Sequence, residues 1–110
     1  LHRVWVVQGT LKPGAKHIYS RRVFYVDEDS WQIAVAESYD LKGRLWRVNE
    51  AHAIELYDVP VLSSTLEVFH DPQQRRYLVN GLDNERHAWR FSEASDPREF
   101  SPNALVYDAR

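Results

Sequence analysis

Turn-forming residues interrupt this chain at short intervals, and that punctuation constrains its fold more than any other feature. Lys12-Pro13-Gly14, Asp27-Glu28-Asp29-Ser30, Asp40-Leu41-Lys42-Gly43, Asp58-Val59-Pro60, Asp71-Pro72-Gln73-Gln74 and Leu82-Asp83-Asn84 each gather residues that supply the fixed or positive φ angles of tight turns. The runs between them are rich in Val, Ile, Tyr, Phe and Trp, the composition of strands. About seven strands are expected, near 2–11, 17–27, 31–39, 44–57, 61–70, 75–82 and 86–92. Spacers this short join antiparallel neighbours, because a parallel pair needs a crossover of roughly a dozen residues or more. The expected fold class is therefore all-β, an antiparallel meander.

One segment tests that reading. Asn49 to Leu56 contains good helix formers. Yet Trp46, Val48, Ile54 and Leu56 alternate with Arg47, Asn49 and Glu55, the period of a strand. A straight strand over 44–57 would run about 45 Å at ~3.3 Å per residue, so a bend or bulge is expected near Glu50–Ala53. At the other end of the chain, Asp96-Pro97 and Ser101-Pro102 each set a capping residue before a proline. That order suits the start of short helical turns over 96–100 and 101–107, with an irregular tail as the alternative.

Several strands are apolar on both sides. Val4-Trp5-Val6-Val7, Val23-Phe24-Tyr25-Val26 and Ile33-Ala34-Val35-Ala36 do not alternate, so both faces of the sheet need cover there. With no long helix in its pattern, a chain of 110 residues can meet this in two ways. A β-sandwich covers its own inner faces. A curved, open half-barrel buries one face and leaves the other to a ligand, a second copy or more polypeptide. The length suits a single β domain over 1–110. The chain contains no Met and begins directly in strand-like sequence, which reads as a fragment of a larger parent chain or as a processed product.

The chemistry-bearing residues form no catalytic pattern. There is no Cys, which excludes disulfides and thiolate metal sites. Three of the fourteen bases are lysines (Lys12, Lys16, Lys42) and the rest arginines, and arginine lies flat on aromatic rings. The net charge of −2 nevertheless argues against nucleic acid, whose phosphates demand a basic field. Glu50 and His52, two apart on one strand, resemble an acid/base pair or two metal ligands; a metal needs a third, and the plainer expectation is a polar pair satisfied by a neighbouring arginine. His2, His17, His70 and His87 follow no zinc spacing, Ser63-Ser64 lacks a nucleophile-elbow context, and the isolated glycines form no phosphate loop. No catalytic residue, metal ligand or cofactor is expected. Trp5, Trp31, Trp46 and Trp89 fall in different predicted strands and serve either as core or as the lining of an apolar cavity.

His2-Arg3-Val4-Trp5-Val6-Val7, Thr10-Leu11-Lys12-Pro13-Gly14, Tyr19 to Trp31, Leu45-Trp46-Arg47-Val48, Tyr57-Asp58-Val59-Pro60 and Gly81-Leu82-Asp83-Asn84 occur in that order. Together they resemble the C-terminal part of an uncharacterised family of Gram-negative envelope proteins, itself similar to the outer-membrane lipoprotein-sorting (Lol) proteins. The resemblance implies an open, strongly curved antiparallel half-barrel whose concave side shelters acyl chains beneath lid helices, and a place in the periplasm or outer membrane. It transfers no functional residue. The resulting expectation is a non-catalytic envelope module that binds or transfers a lipid, a lipoprotein or another apolar ligand. The alternative is a protein–protein interaction domain docking on other domains or on an envelope transport partner. The apolar ligand-binding face is expected to comprise Trp46, Val48, Ile54, Leu56, Trp5 and Phe24. Expected partners are an apolar ligand or lipid and the remainder of the parent chain, and the isolated fragment is expected to form a homodimer through its unpaired edges, the first strand preferred.

Overall fold

In the computed structural model, which describes residues 1–82, 91 and 96–108, six strands form one antiparallel sheet. They are β1 (Val4–Thr10), β2 (Arg21–Asp27), β3 (Ile33–Tyr39), β4 (Leu45–Leu56), β5 (Val61–Asp71) and β6 (Arg76–Asn80). Each pairs with the next in sequence, and β1 and β6 do not meet, so the sheet is an open meander and not a closed barrel. The seventh expected strand, 86–92, lies outside the described residues except for Phe91.

Aspartates organise the turns. Asp27 accepts hydrogen bonds from the Ser30 backbone N–H (2.9 Å) and hydroxyl (2.6 Å). Asp40 accepts from the backbone N–H groups of Lys42 and Arg44, both at 2.9 Å, and Asp71 accepts from that of Gln74 at 3.1 Å. These are local side-chain-to-backbone bonds that substitute for a ladder where the chain reverses. At the Asp40 turn, Gly43 has φ +76°, a left-handed angle that glycine adopts without a Cβ penalty. Trp31, expected in a strand, instead sits in the β2–β3 turn with φ +59°.

Three register shifts shape the sheet. Ala34 in β3, Trp46 in β4 and Thr65 in β5 are each an extra residue opposite a continuous partner strand. The shift in the long β4–β5 hairpin falls between His52 and Ala53, where a bend was expected, but the added residue belongs to the partner strand. Gly81 follows β6 with φ +93°, and a Cβ there would stand 2.8 Å from the Thr65 carbonyl oxygen, so the glycine admits the close approach of the β5 bulge.

At the C-terminal end, Asp96 caps a 3-10 turn over Pro97–Phe100 by accepting from the Arg98 N–H at 2.9 Å. The Ser101 hydroxyl accepts from the Ala104 N–H at 3.2 Å, at the start of α1 (Pro102–Asp108). Both are the helical turns expected from the Asp-Pro and Ser-Pro pairs.

The sheet is a single layer among the described residues. Its buried apolar side chains are Val23 and Ala36, which sit on opposite faces of the two central-left strands. The chain exposes 9627 Å², whereas a compact monomer of 13.0 kDa exposes about 6,300 Å². Its radius of gyration is 17.7 Å against about 13 Å for a compact domain of this length. Cross-strand pairing alone holds such a layer weakly, at roughly 0.2–1 kcal/mol per side-chain pair.

Candidate functional site

The register assigns every strand residue to a face. Trp5, Val7, Arg22, Phe24, Ala36, Ser38, Arg47, Asn49, Phe69 and Leu78 share one, called here the aromatic face. Val23, Glu37, Val48, Glu50, His52, Ile54, Leu56, Val68 and His70 share the other.

The six residues expected to form one apolar face are therefore divided. Trp5 and Phe24 lie on the aromatic face, and Val48, Ile54 and Leu56 on the opposite one. Trp46 is the decisive case. As the extra residue between the pairs Ser38–Arg47 and Tyr39–Leu45, it breaks the alternation that placed it with Val48. Its half-buried ring meets Tyr19 edge-to-face at 5.6 Å, and the Arg47 guanidinium stacks on it at 4.9 Å. It thus joins the aromatic face.

That face has two chemical zones. One row across the strands, Val7–Phe24–Ala36–Asn49–Phe69–Leu78, is apolar except for Asn49, whose side-chain oxygen is buried without a hydrogen-bond partner. Trp5 extends it and is 53% exposed, as Leu78 is 63% exposed. The adjacent row, Gly9–Arg22–Ser38–Arg47, is cationic. Arg22 stacks on Phe24 at 4.7 Å and approaches Tyr19 at 5.8 Å, while Arg47 donates to the Tyr19 hydroxyl at 3.0 Å. An open cleft of about 540 Å³ continues this face toward β6, lined by Arg47, Asn49, Phe69, Asp71, Arg76 and Leu78 among others.

The opposite face mixes valines with two polar clusters. Glu37 accepts from Tyr39 (2.6 Å) and Tyr25 (3.2 Å), and these bonds to a carboxylate raise both phenol pKa values above their usual range. Glu50 lies between His52 (3.3 Å) and His70 (3.1 Å). The expected arginine neighbour of the Glu50–His52 pair is instead His70, delivered from β5 next to the register partner Val68 of Glu50. A further cluster was not anticipated from the sequence: His2, Asp27 and Asp29 bring ligand atoms within 4.8 Å of one another at the exposed end of β1 and β2. His2 Nδ1 is 3.2 Å from an Asp27 oxygen, and Asp27 titrates below its ordinary value chiefly through its bonds from Ser30. Only the β1–β2 register, which pairs Val4 with Asp27, brings these distant residues together.

The class these features define is an open, single-layer antiparallel sheet with one aromatic, partly cationic face. The chain belongs to the family described as Protein of unknown function (DUF1329), which matches residues 1–106. It is 47% identical over 106 residues to the uncharacterized protein PA3922 of Pseudomonas aeruginosa, covering 96% of this chain and 23% of that protein. The fold is similar to a crystal structure from Vibrio parahaemolyticus assigned as an outer membrane lipoprotein-sorting protein domain, with a TM-score of 0.61 at 20% identity. That similarity covers 93% of this chain and 41% of the other. The chain thus spans about a quarter of its curated relative and under half of its structural neighbour.

Proposed function

We propose that this chain is one wall of a non-catalytic module of the Gram-negative envelope that binds a lipid, a lipoprotein acyl chain or another apolar ligand against its aromatic face. The observation that carries the reading is the row Val7–Phe24–Ala36–Asn49–Phe69–Leu78, apolar but for Asn49 and extended by Trp5, with Trp5, Val7, Phe69 and Leu78 exposed in a sheet that has no second layer among the described residues. Contiguous exposed apolar residues rimmed by polar ones mark interaction or ligand-binding surfaces. The similarity of fold to a lipoprotein-sorting domain supports the envelope setting by analogy. Among the described residues no helix is long and apolar enough to cross a membrane. The remainder of the full-length protein supplies the cover for the opposite face, a role consistent with the small share of the relatives that this chain spans.

Tryptophan fluorescence tests the reading. Bromine-labelled fatty acid added to the full-length protein is expected to quench emission, and Trp5→Phe with Trp46→Phe is expected to remove much of that quenching. Absence of saturable quenching would contradict it. A specific observation favours one second reading. All of β1 is exposed, with Val4, Trp5, Val6 and Val7 on an edge that carries no charge or proline, so it is open to strand addition by a protein partner. In that case a partner strand would protect the β1 amides from hydrogen exchange while leaving the quenching unchanged.

A further inference from the structure

Arg22 and Arg47 set this sheet apart from an ordinary apolar wall. They occupy the same cross-strand row on β2 and β4, with β3 between them, so their Cα atoms are about 10 Å apart at ~4.8 Å per strand. The residue between them is Ser38, only 2% exposed, a small floor beneath two long side chains. Arg3 meets Glu28, Arg44 meets Asp40 and Arg76 meets Asp71, whereas Arg21, on the other face of β2, stacks on Tyr39 at 3.5 Å and donates to Gln8 at 3.4 Å. Among the described residues Arg22 and Arg47 have no carboxylate partner within ion-pair distance. Aromatic rings and the Tyr19 hydroxyl hold them instead, and the buried Nε of Arg22 has no acceptor. Asp71 stands next along the row after Arg47, but its oxygens engage Arg76 and the Gln74 N–H.

A partly buried guanidinium without an anion keeps its full demand for one, and its planar fork fits the oxygens of phosphate or carboxylate. Stacking fixes the forks without using their donors, as pre-organised sites do. The apolar row begins immediately beside this pair, at Phe24. We propose that Arg22 and Arg47 together bind the anionic head group, a phosphate or carboxylate, of an amphiphile whose alkyl chain runs along Phe24, Ala36 and Phe69. This rests on the apolar-ligand reading above and adds to it a charge requirement and an orientation: head over Ser38, tail along the neighbouring row from Phe24 past Asn49 toward Leu78.

Three probes separate the parts of this proposal in the full-length protein: dodecyl phosphate, dodecanol and inorganic phosphate. Dodecyl phosphate is expected to bind at least about tenfold more tightly than dodecanol, the low end for a charge-assisted hydrogen bond. Arg22→Gln with Arg47→Gln is expected to abolish that preference, read as the ratio of the two affinities, while Arg22→Lys with Arg47→Lys keeps part of it. The single glutamine variants read the same quantity should the double variant not fold, each losing roughly threefold. Equal affinity for the two alkyl probes, or a preference that survives in the glutamine variants, overturns the head-group site and leaves the apolar reading standing. Inorganic phosphate competing as well as dodecyl phosphate overturns the amphiphile in favour of free phosphate. Failure of both alkyl probes to bind overturns the apolar reading and this site with it.

Discussion

Replacing Trp46 with alanine tests whether the bulge in β4 builds the aromatic face. A tryptophan side chain buries roughly 150–250 Å² when fully enclosed. Trp46 is half-buried, so about 100 Å² returns to water, worth about 2.5 kcal/mol at ~25 cal/mol per Å². The edge-to-face contact with Tyr19 adds about 0.5–1.5 kcal/mol, and the exposed-side stacking of Arg47 about 0.5 kcal/mol. Area figures are upper bounds because the unfolded chain already hides some of the ring. The expected loss is therefore about 2.5–4 kcal/mol, toward the lower end of the ~3–5 kcal/mol of a fully enclosed tryptophan. Urea unfolding of the full-length protein, followed by circular dichroism, measures it, with Trp46→Phe expected to recover about half. A loss under ~0.5 kcal/mol would refute the reasoning, since it would mean that Trp46 neither buries area nor supports Tyr19.

Three further perturbations follow from the geometry. Trp31→Asn is expected to leave stability unchanged or raise it by up to ~1 kcal/mol in the same urea assay, because the indole is 71% exposed and its φ of +59° suits asparagine better. Gly81→Ala is expected to cost more than about 1 kcal/mol, since φ is +93° and the new Cβ would meet the Thr65 carbonyl at 2.8 Å; a neutral result would show that the β5 bulge yields freely. The Arg44 backbone N–H is the main reason that the Asp40 carboxyl is held down to about 2 from 3.8. A depressed carboxylate contributes stability above its unfolded pKa and loses it as pH falls toward its folded one, so stability should decline between about pH 4 and 2, and Asp40→Asn should flatten that part of the profile.

Much of the fold is legible in the sequence because its turns are made by local chemistry. Asp27, Asp40 and Asp71 bond to backbone a few residues away, and such bonds depend only on neighbours along the chain. The same holds for the Asp96 and Ser101 caps. The faces were less legible. Alternation within a strand says which residues share a side of that strand, but only the inter-strand register says which side of β4 corresponds to which side of β2. That register places Phe24 with Asn49 and not with Val48, dividing the expected apolar set. The bulge at Trp46 is a second such failure, because nothing local distinguishes a bulged tryptophan from a paired one. The His70 neighbour of Glu50, and the meeting of His2 with Asp27, likewise arise from pairing across the sheet.

Something amphiphilic is proposed to occupy the aromatic face, across the row Gly9–Arg22–Ser38–Arg47 and the apolar row beside it. Native mass spectrometry of the gently purified full-length protein tests that claim most directly. The account predicts a population heavier than the polypeptide by one small molecule, which collisional activation releases as an anion with a long alkyl chain. A bare polypeptide mass in every preparation, unchanged after incubation with dodecyl phosphate and dodecanol, would contradict it.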